Sequence, residues 1–320
     1  MSVLSKAHFH DEEAAFKKVE ELLWPEGPVC PFCGGKDRIY VLEGVRSKPS
    51  KKNPEGIVRH GLKKCGHCRK QFTVRVNTIF ESSHIPLHKW LQAIHLLCAS
   101  KKGISSHQLH RVLEITYEAA WFMSHRIREA MRSGSLAPMG GPGSIVEADE
   151  TFIGKKEGAV KHPNARGYAH KQAALSLIER GGEIRSFAID KADTANVKPI
   201  IDANLRKESM LMTDEAAIYG KIGKEFKHHF TVEHGKDEYV RGSVHVNTLE
   251  GYFSIFKRGM KGTYQHCAEK HLHRYLAEFD FRYNNRVANG IGDEERAEKA
   301  LKGAVGKRLT YGGSHREISA

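Results

Sequence analysis

Residues 245–260 alternate apolar and polar side chains in a pattern that predicts an amphipathic helix. The apolar residues recur at steps of three and four and form one stripe: Val246, Leu249, Phe253, Phe256 and Met260. A polar line follows the same rhythm one residue later, about 100° round the helix: Asn247, Glu250, Ser254 and Lys257. Glu250, with Lys257 two turns further on, suits a site that binds metal and phosphate. The solvated face of an ordinary amphipathic helix has the same pattern.

Upstream of this helix, strand-like and helical patterns alternate and predict an α/β domain with a mixed sheet. The segments are residues 144–153, 172–179, 183–189, 210–213 and 229–233 as strands, and 194–206 and 216–222 as helices. Three strands followed by helix, strand and helix are typical of a mixed sheet. The helix that contains Glu250 is expected to begin near Ser243. Residues 268–286 are expected to form another helix.

The first part of the chain has helical periodicity at residues 11–24 and, in three segments, at 86–132. The third segment of 86–132 is expected to bury one face: Ala120, Met123, Ile127, Ala130 and Met131. His125, Arg126 and Arg128 are then expected on the outside. This order favours a helix-turn-helix whose third helix contacts DNA through Arg126 and Arg128. A plain helical bundle is the alternative.

Four of the six cysteines form two Cys-x-x-Cys pairs: Cys30 with Cys33, and Cys65 with Cys68. Two tight turns of this kind bring four thiolates round one ion, which predicts a structural Cys₄ zinc site. A redox dithiol is the alternative. Cys98 and Cys267 stand alone in helical patterns and are expected to be packing residues.

The charge of the chain points to a polyanionic partner. The formal net charge is +13 and the pI is about 9.4, which favours nucleic acid over an anionic membrane. Residues 36–76 carry much of the excess of Lys and Arg, so the cysteine-rich segment is expected to contact phosphates. No apolar run reaches the 18 residues of a membrane span, and no signal peptide is recognisable. A soluble, intracellular protein is expected.

Three carboxylates occupy positions from which they can converge. Asp149 lies in the first strand of the α/β part, Asp214 at the end of the fourth, and Glu250 on the following helix. Three such acids can hold two Mg²⁺ ions for an in-line phosphoryl transfer, and oxygen ligands suit Mg²⁺ better than zinc. Two alternatives remain open: Asp214 is a plausible N-cap for a helix starting near Ala216, and Glu147 or Glu150 could replace Asp149.

Several sequence segments resemble the DDE transposases of bacterial insertion sequences, in particular the group with an N-terminal zinc ribbon. The matching segments are Cys30-Pro-Phe-Cys33, Cys65-Gly-His-Cys68, Val146-Glu-Ala-Asp-Glu-Thr151, Thr213-Asp214, His245-Val-Asn-Thr-Leu-Glu250 and Lys270-His-Leu-His-Arg-Tyr-Leu-Ala-Glu-Phe-Asp-Phe-Arg-Tyr-Asn284. The resemblance covers residues 20–310. It implies a ribonuclease-H-like catalytic fold in which Asp149, Asp214 and Glu250 bind Mg²⁺ or Mn²⁺. Because relatives of this group can show Asn where the last acid would stand, Asn247 competes with Glu250.

The resemblance also implies a function, a transposase that cleaves the ends of a DNA element and joins them to target DNA. Lys257, Arg258 and Lys261 would then hold DNA phosphates, and the zinc ribbon and recognition helix would bind the terminal inverted repeats. Such a protein is expected in the bacterial cytoplasm at the nucleoid, as a homodimer or larger assembly on DNA. The alternatives are a ribonuclease-H-like nuclease or resolvase without strand transfer, and a DNA-binding regulator with a decayed core.

Gly, Pro and Ser dominate residues 133–143, which predicts a linker. Three domains are therefore expected. Residues 1–80 would hold the N-terminal helix and the zinc ribbon, residues 81–135 the helix-turn-helix, and residues 144–310 the catalytic domain.

Overall fold

The computed structural model describes residues 2–51, 53–134, 136–160, 167–232 and 244–310. The chain divides into two compact units. The first unit comprises Met1–Ala99, Ser106–Met131 and Gly292–Ala320, and the second comprises Ser100–Ser105 and Arg132–Ile291. Within the described ranges, no helix combines the length and apolar character that a membrane crossing requires.

The first unit contains a three-stranded antiparallel ribbon. Its strands are β1 (Ile39–Val41), β2 (Lys63–Cys65) and β3 (Gln71–Phe72), with β2 in the middle. Strand β3 is followed by a turn in which the carbonyl of Thr73 accepts the backbone N–H of Val76.

The helices expected in the first part of the chain are present: α1 (Glu12–Leu23), α2 (Leu87–Ala99), α3 (Ser106–Leu113) and α4 (Tyr117–Met131). Asp11 caps α1 by accepting the N–H of Ala14 at 2.7 Å. All five apolar residues expected on the inner face of α4 are buried. The pattern of apolar spacing therefore identified the packing face of α4 correctly.

The second unit is built on a five-stranded mixed sheet. Its strands are β4 (Ile145–Ile153), β5 (Gln172–Glu179), β6 (Ile184–Ile189), β7 (Met210–Asp214) and β8 (His228–Val232). The spatial order is β6-β5-β4-β7-β8. Strand β4 pairs antiparallel with β5 and parallel with β7, and β7 pairs parallel with β8. The α/β, mixed-sheet fold class expected for a ribonuclease-H-like domain is confirmed.

Helices cover both faces of this sheet: α5 (Thr194–Asn204), α6 (Tyr219–Ile222), α7 (Asn247–Gly259) and α8 (Leu272–Asn284). One core packs α5 and α6 against the face of β4 that carries Val146 and Ala148. The other packs α7 and α8 against the opposite face, which carries Ile153. Because side chains alternate along a strand, Glu147 and Asp149 belong to the α7 face and Glu150 to the α6 face.

The apolar stripe predicted for the central helix is buried throughout, with Val246, just before α7, only 1% exposed. The helix begins at Asn247, whereas the start expected near Ser243 lies outside the described residues. The tail helix α9 (Asp293–Lys302) belongs to the first unit, where Ala300 and Leu301 are buried.

The last segment of the resemblance, in α8, has a structural role at the edge of the sheet. Asp280 accepts the backbone N–H of Ser186 at 2.7 Å, and Asn284 both accepts from and donates to the backbone of Ile184. Strand β6 is an edge strand, so its outer backbone groups have no neighbouring strand. Side chains of α8 replace that neighbour and cover the edge.

Candidate active site and zinc site

The four cysteines of the two Cys-x-x-Cys pairs meet in the first unit. Their sulfurs all lie within 4.8 Å of one another, with Sγ–Sγ distances of 3.6 Å for Cys30–Cys68 and for Cys33–Cys65. A tetrahedral zinc ion with Zn–S bonds of about 2.3 Å requires sulfur–sulfur distances of about 3.8 Å. The donor set and its geometry therefore fit structural Zn²⁺.

Matching turns build the two halves of this site. The N–H of Cys30 donates to the carbonyl of Gly35, and the N–H of Cys65 donates to that of Lys70. The residue after each second cysteine is left-handed, with φ of +74° at Gly34 and +60° at Arg69. Hydrogen bonding from the Cys68 backbone lowers the pKa of Cys65 to about 6, which favours the thiolate that zinc binds.

Asp149 and Asp214 of the second unit come together through the pairing of β4 with β7. The parallel register pairs Glu147 with Met212. Asp149, in the middle of β4, and Asp214, the last residue of β7, each lie two residues further along. The aspartates, separated by 65 positions in sequence, therefore become neighbours.

The charges of the neighbouring acids act on Asp149. Burial raises the pKa of Asp149 well above its ordinary value, and the charges of Glu150, Asp214 and Glu250 raise it further. Burial lowers the pKa of Lys257, while the charge of Asp149 acts in the opposite direction. The cluster expected from the sequence is thus brought together as a partly buried acidic site with Lys257 beside it.

Asp149, Asp214 and Glu250 do not form a group whose donor atoms all lie within 4.8 Å of one another. Among the described residues, the four cysteines are the one group of three or more potential ligands whose donor atoms all lie within 4.8 Å. Asn247 and Glu250 are exposed on the first turn of α7. Arg258 and Lys261 are also exposed, near the end of α7 and just beyond it.

Asp214 does not cap a helix starting near Ala216, because α6 begins only at Tyr219, with Ile218 in the N-cap position. Its carboxylate does accept the N–H of Ala216 at 3.0 Å. That local turn fixes the side chain at the end of β7.

The two alternative acids on β4 are engaged elsewhere. Glu150 accepts a hydrogen bond from the buried hydroxyl of Tyr219 on the α6 face, and burial raises the pKa of Glu150 to about 7. Glu147 is fully buried and accepts hydrogen bonds from the start of α7 and from Arg180. Sequence reasoning treated Glu147 as a possible ligand and missed Arg180.

Lys171 is a further cation that the sequence did not single out. Its charge lowers the pKa of Lys257, as does that of Lys261, so the three ammonium groups share one neighbourhood. The ammonium group of Lys171 also lies 4.8 Å from the ring centroid of Tyr168. A local cluster of lysines beside acids is suited to a bound phosphodiester.

The exposure expected for His125, Arg126 and Arg128 is wrong, since they are 1%, 5% and 1% exposed. Arg126 donates to the carbonyls of Ile79 and Glu81, both at 2.8 Å, and to that of Leu309 at 3.2 Å. Arg128 donates to the hydroxyl of Ser124 at 3.1 Å. Helical periodicity placed all three residues off the apolar face, but a loop and the C-terminal segment of the same unit cover Arg126.

Comparisons with known proteins bear on both units. The model of the ISXO2-like transposase domain matches residues 140–284, and that of the transposase zinc-ribbon domain matches residues 10–71. An uncharacterised protein in transposable element ISH50 of Halobacterium salinarum is 26% identical over 295 residues, which are 86% of this chain and 91% of the relative.

Among solved structures, the pre-cleavage Mos1 transpososome aligns with 66% of this chain and 74% of its own chain, at 13% identity and a TM-score of 0.27. A TM-score this low is not evidence of a shared fold. The two domain models match the order of ribbon and mixed sheet described above, and the ISH50 relative spans nearly the same length. This chain belongs to the DDE transposases of insertion elements that carry an N-terminal zinc ribbon.

Proposed function

We propose that this transposase binds the terminal inverted repeats of its element, hydrolyses the phosphodiester at each end and joins the freed 3′-hydroxyl to target DNA. The observation that carries the proposal is the acidic cluster of Asp149 on β4 and Asp214 at the end of β7, with the charge of Glu250 on α7 acting on Asp149. The match of residues 140–284 to a transposase domain supports the same chemistry.

Asp149, Asp214 and Glu250 are the proposed ligands of Mg²⁺ or Mn²⁺. Carboxylate oxygens are the donors that these hard ions prefer, and the mutual repulsion of the acids favours a bound cation. Two such ions, when bound, would supply a nucleophile at neutral pH and stabilise the attacking and leaving oxygens. Asp149 and Asp214 would provide the fixed part of the site, since both lie on paired strands.

The basic residues beside the acids are proposed to hold the DNA backbone. Burial lowers the pKa of Lys257 and the charge of Asp149 raises it, so a partner phosphate would also stabilise the ammonium group. Arg258, near the end of α7, and Lys261, just beyond it, are exposed. Together they would orient the scissile phosphate against the acids.

The third metal ligand is tested by four variants on a duplex that contains an element end. Asp149→Asn, Asp214→Asn and Glu250→Gln should each abolish metal-dependent cleavage and joining while end-binding survives, and Asn247→Ala should be milder. Charge favours Glu250, because two divalent ions need more compensation than two aspartates and a neutral amide supply. If Glu250→Gln stays active while Asn247→Ala is inactive, Asn247 takes the third position.

The same assay separates the other two functions. Cleavage without joining would identify a nuclease or resolvase. Metal-independent end-binding with no cleavage at all would identify a DNA-binding regulator. Cleavage followed by joining of the 3′-hydroxyl supports the transposase.

End-binding is proposed to reside in the ribbon and the helical segment of the first unit. These correspond to the predicted domains 1–80 and 81–135, ahead of a predicted catalytic domain at 144–310 whose residues from Gly292 on belong to the first unit. On the ribbon, Tyr40, Lys64 and Gln71 form one exposed row across the three strands. Lys64 is the proposed phosphate contact of this row. Action on paired ends implies a homodimer or larger assembly on DNA, at the nucleoid in a bacterial cytoplasm.

A further inference from the structure

The first turn of α7 has an unusual cap. The residue at its N-cap position, Val246, has no side chain that can accept a hydrogen bond. Glu147 on β4 accepts instead, from the backbone N–H groups of Thr248 at 3.0 Å and Leu249 at 3.1 Å, and from the Thr248 hydroxyl at 2.8 Å. A strand residue therefore satisfies donors that a helix normally satisfies with its own N-cap side chain.

Arg180 links this cap to the neighbouring strand. Its Nε donates to Glu147 at 2.6 Å, and its Nη2 donates to the carbonyl of His245 at 2.7 Å. The same Nη2 lies 3.1 Å from the sulfur of Met212 on β7 and 2.9 Å from Nδ1 of His245. One guanidinium thus contacts β4, β7 and the segment that leads into α7.

Each of these contacts falls two residues from a proposed site residue. Glu147 precedes Asp149 by two positions, Met212 precedes Asp214 by two, and His245 precedes Asn247 by two. The network therefore connects β4, β7 and the start of α7, which are the three elements that supply the proposed metal ligands.

We propose that Glu147 and Arg180 form a positioning pair, which holds the first turn of α7, with Asn247 and Glu250, against the parts of β4 and β7 that carry Asp149 and Asp214. This inference rests on the proposed function. The pair does not touch DNA or metal in this role. It sets where the third ligand lies relative to the other two.

The chain offers a matched control. Glu278 and Arg282 form another buried carboxylate–guanidinium pair, within α8, where Glu278 also accepts from the hydroxyl of Tyr264. Disrupting either pair removes a partner from a buried ion pair and should lower stability. Only the Glu147–Arg180 pair caps the helix that carries Glu250.

The test uses the full-length protein and the variants Glu147→Gln, Thr248→Val, Thr248→Ser and Glu278→Gln. Thr248→Val removes one donor to Glu147 with little change of volume, and Thr248→Ser restores the hydroxyl. Two properties are measured without DNA: Mn²⁺ affinity by calorimetry, and amide hydrogen exchange at Thr248 and Leu249. Thermal melting confirms that each variant is folded.

Glu147→Gln and Thr248→Val should weaken Mn²⁺ binding about tenfold, the lower end of the range known for residues that orient metal ligands. Both variants should speed hydrogen exchange at the amides of Thr248 and Leu249. Thr248→Ser should keep the wild-type Mn²⁺ affinity and exchange rates. Glu278→Gln should lower the melting temperature and leave Mn²⁺ affinity and these amides unchanged.

Folded Glu147→Gln or Thr248→Val with wild-type Mn²⁺ affinity and wild-type exchange would overturn the positioning role. Equal loss of affinity in Glu278→Gln would overturn it as well, because the effect would then follow stability alone. A wild-type protein that binds no Mn²⁺ would contradict the proposed metal chemistry instead. Exchange at Thr248 and Leu249 would in that case decide whether the pair positions α7.

Discussion

Replacing Arg126 by Met should destabilise the first unit and leave DNA binding intact. The guanidinium donates three hydrogen bonds to backbone carbonyls, and it stacks 4.5 Å from the ring centroid of Phe122. Methionine retains much of the apolar stem and removes all three donors. Any change in DNA affinity would have to arise through folding, since the side chain is buried.

The size of the effect follows from the hydrogen bonds. A bond with one charged partner contributes about 1.5–3 kcal/mol, and a buried acceptor left without a donor costs about 1–3 kcal/mol. Three bonds that share one side chain are not additive, so we expect a loss of about 3–4 kcal/mol. At about 2–4 °C per kcal/mol for a unit of this size, the melting temperature should fall by roughly 10 °C.

The assay pairs Arg126→Met with Lys64→Met, which removes a charge from the exposed row of the ribbon. Melting curves and end-binding over a fourfold range of salt are recorded for both. Lys64→Met should melt like wild type and lower the slope of log affinity against log salt by about 0.9, the value for one lost phosphate contact. Arg126→Met should melt lower and keep the slope. A wild-type melting temperature with a reduced slope in Arg126→Met would refute the buried role.

Two other variants test separate parts of the fold. Cys65→Ser should abolish the stoichiometric zinc found by metal analysis and make the ribbon sensitive to protease while the second unit stays folded; zinc-free protein with an intact ribbon would contradict the Cys₄ site. Burial raises the pKa of Asp280 to about 7, so the folded protein keeps a proton that the unfolded chain loses above about pH 4. Stability should therefore fall from about pH 4 to 7, and Asp280→Asn should flatten that fall in urea titrations; an unchanged pH dependence would contradict it.

Local patterns were sufficient to predict the elements that carry the site. Strand β5 has the predicted bounds, β4 and β7 differ by one residue at an end, and the buried stripe of α7 agrees at every position. These segments pack one face or both faces against a core, so the spacing of their apolar residues follows the faces that are buried. The sequence already indicated that Asp149 and Asp214 could meet, because both lie on strands expected to belong to one sheet.

The spacing of apolar residues could not predict contacts between segments that are distant in the sequence. Arg126 lies off the apolar stripe of α4, and only the fold reveals that the carbonyls of Ile79 and Leu309 cover it. In the sequence, Glu147 is one of several acids in a strand. Its role as a cap could not be predicted, because the N–H groups that it accepts from lie about a hundred positions later. A polar residue off the core face is thus ambiguous until its long-range partners are known.

The charge balance around Asp149 separates a functional acid cluster from a structural one. Glu147 and Glu278 each lie beside a guanidinium, which compensates the buried carboxylate. Burial raises the pKa of Asp149 most, and the charges of Glu150, Asp214 and Glu250 raise it further, although Lys257 lies nearby. Ionised Asp149 is therefore costly in the metal-free protein. A cation bound among these acids would lower that cost, which is the physical reason that the proposed metal site is placed beside Asp149 and Asp214 and not at the two carboxylate–guanidinium pairs.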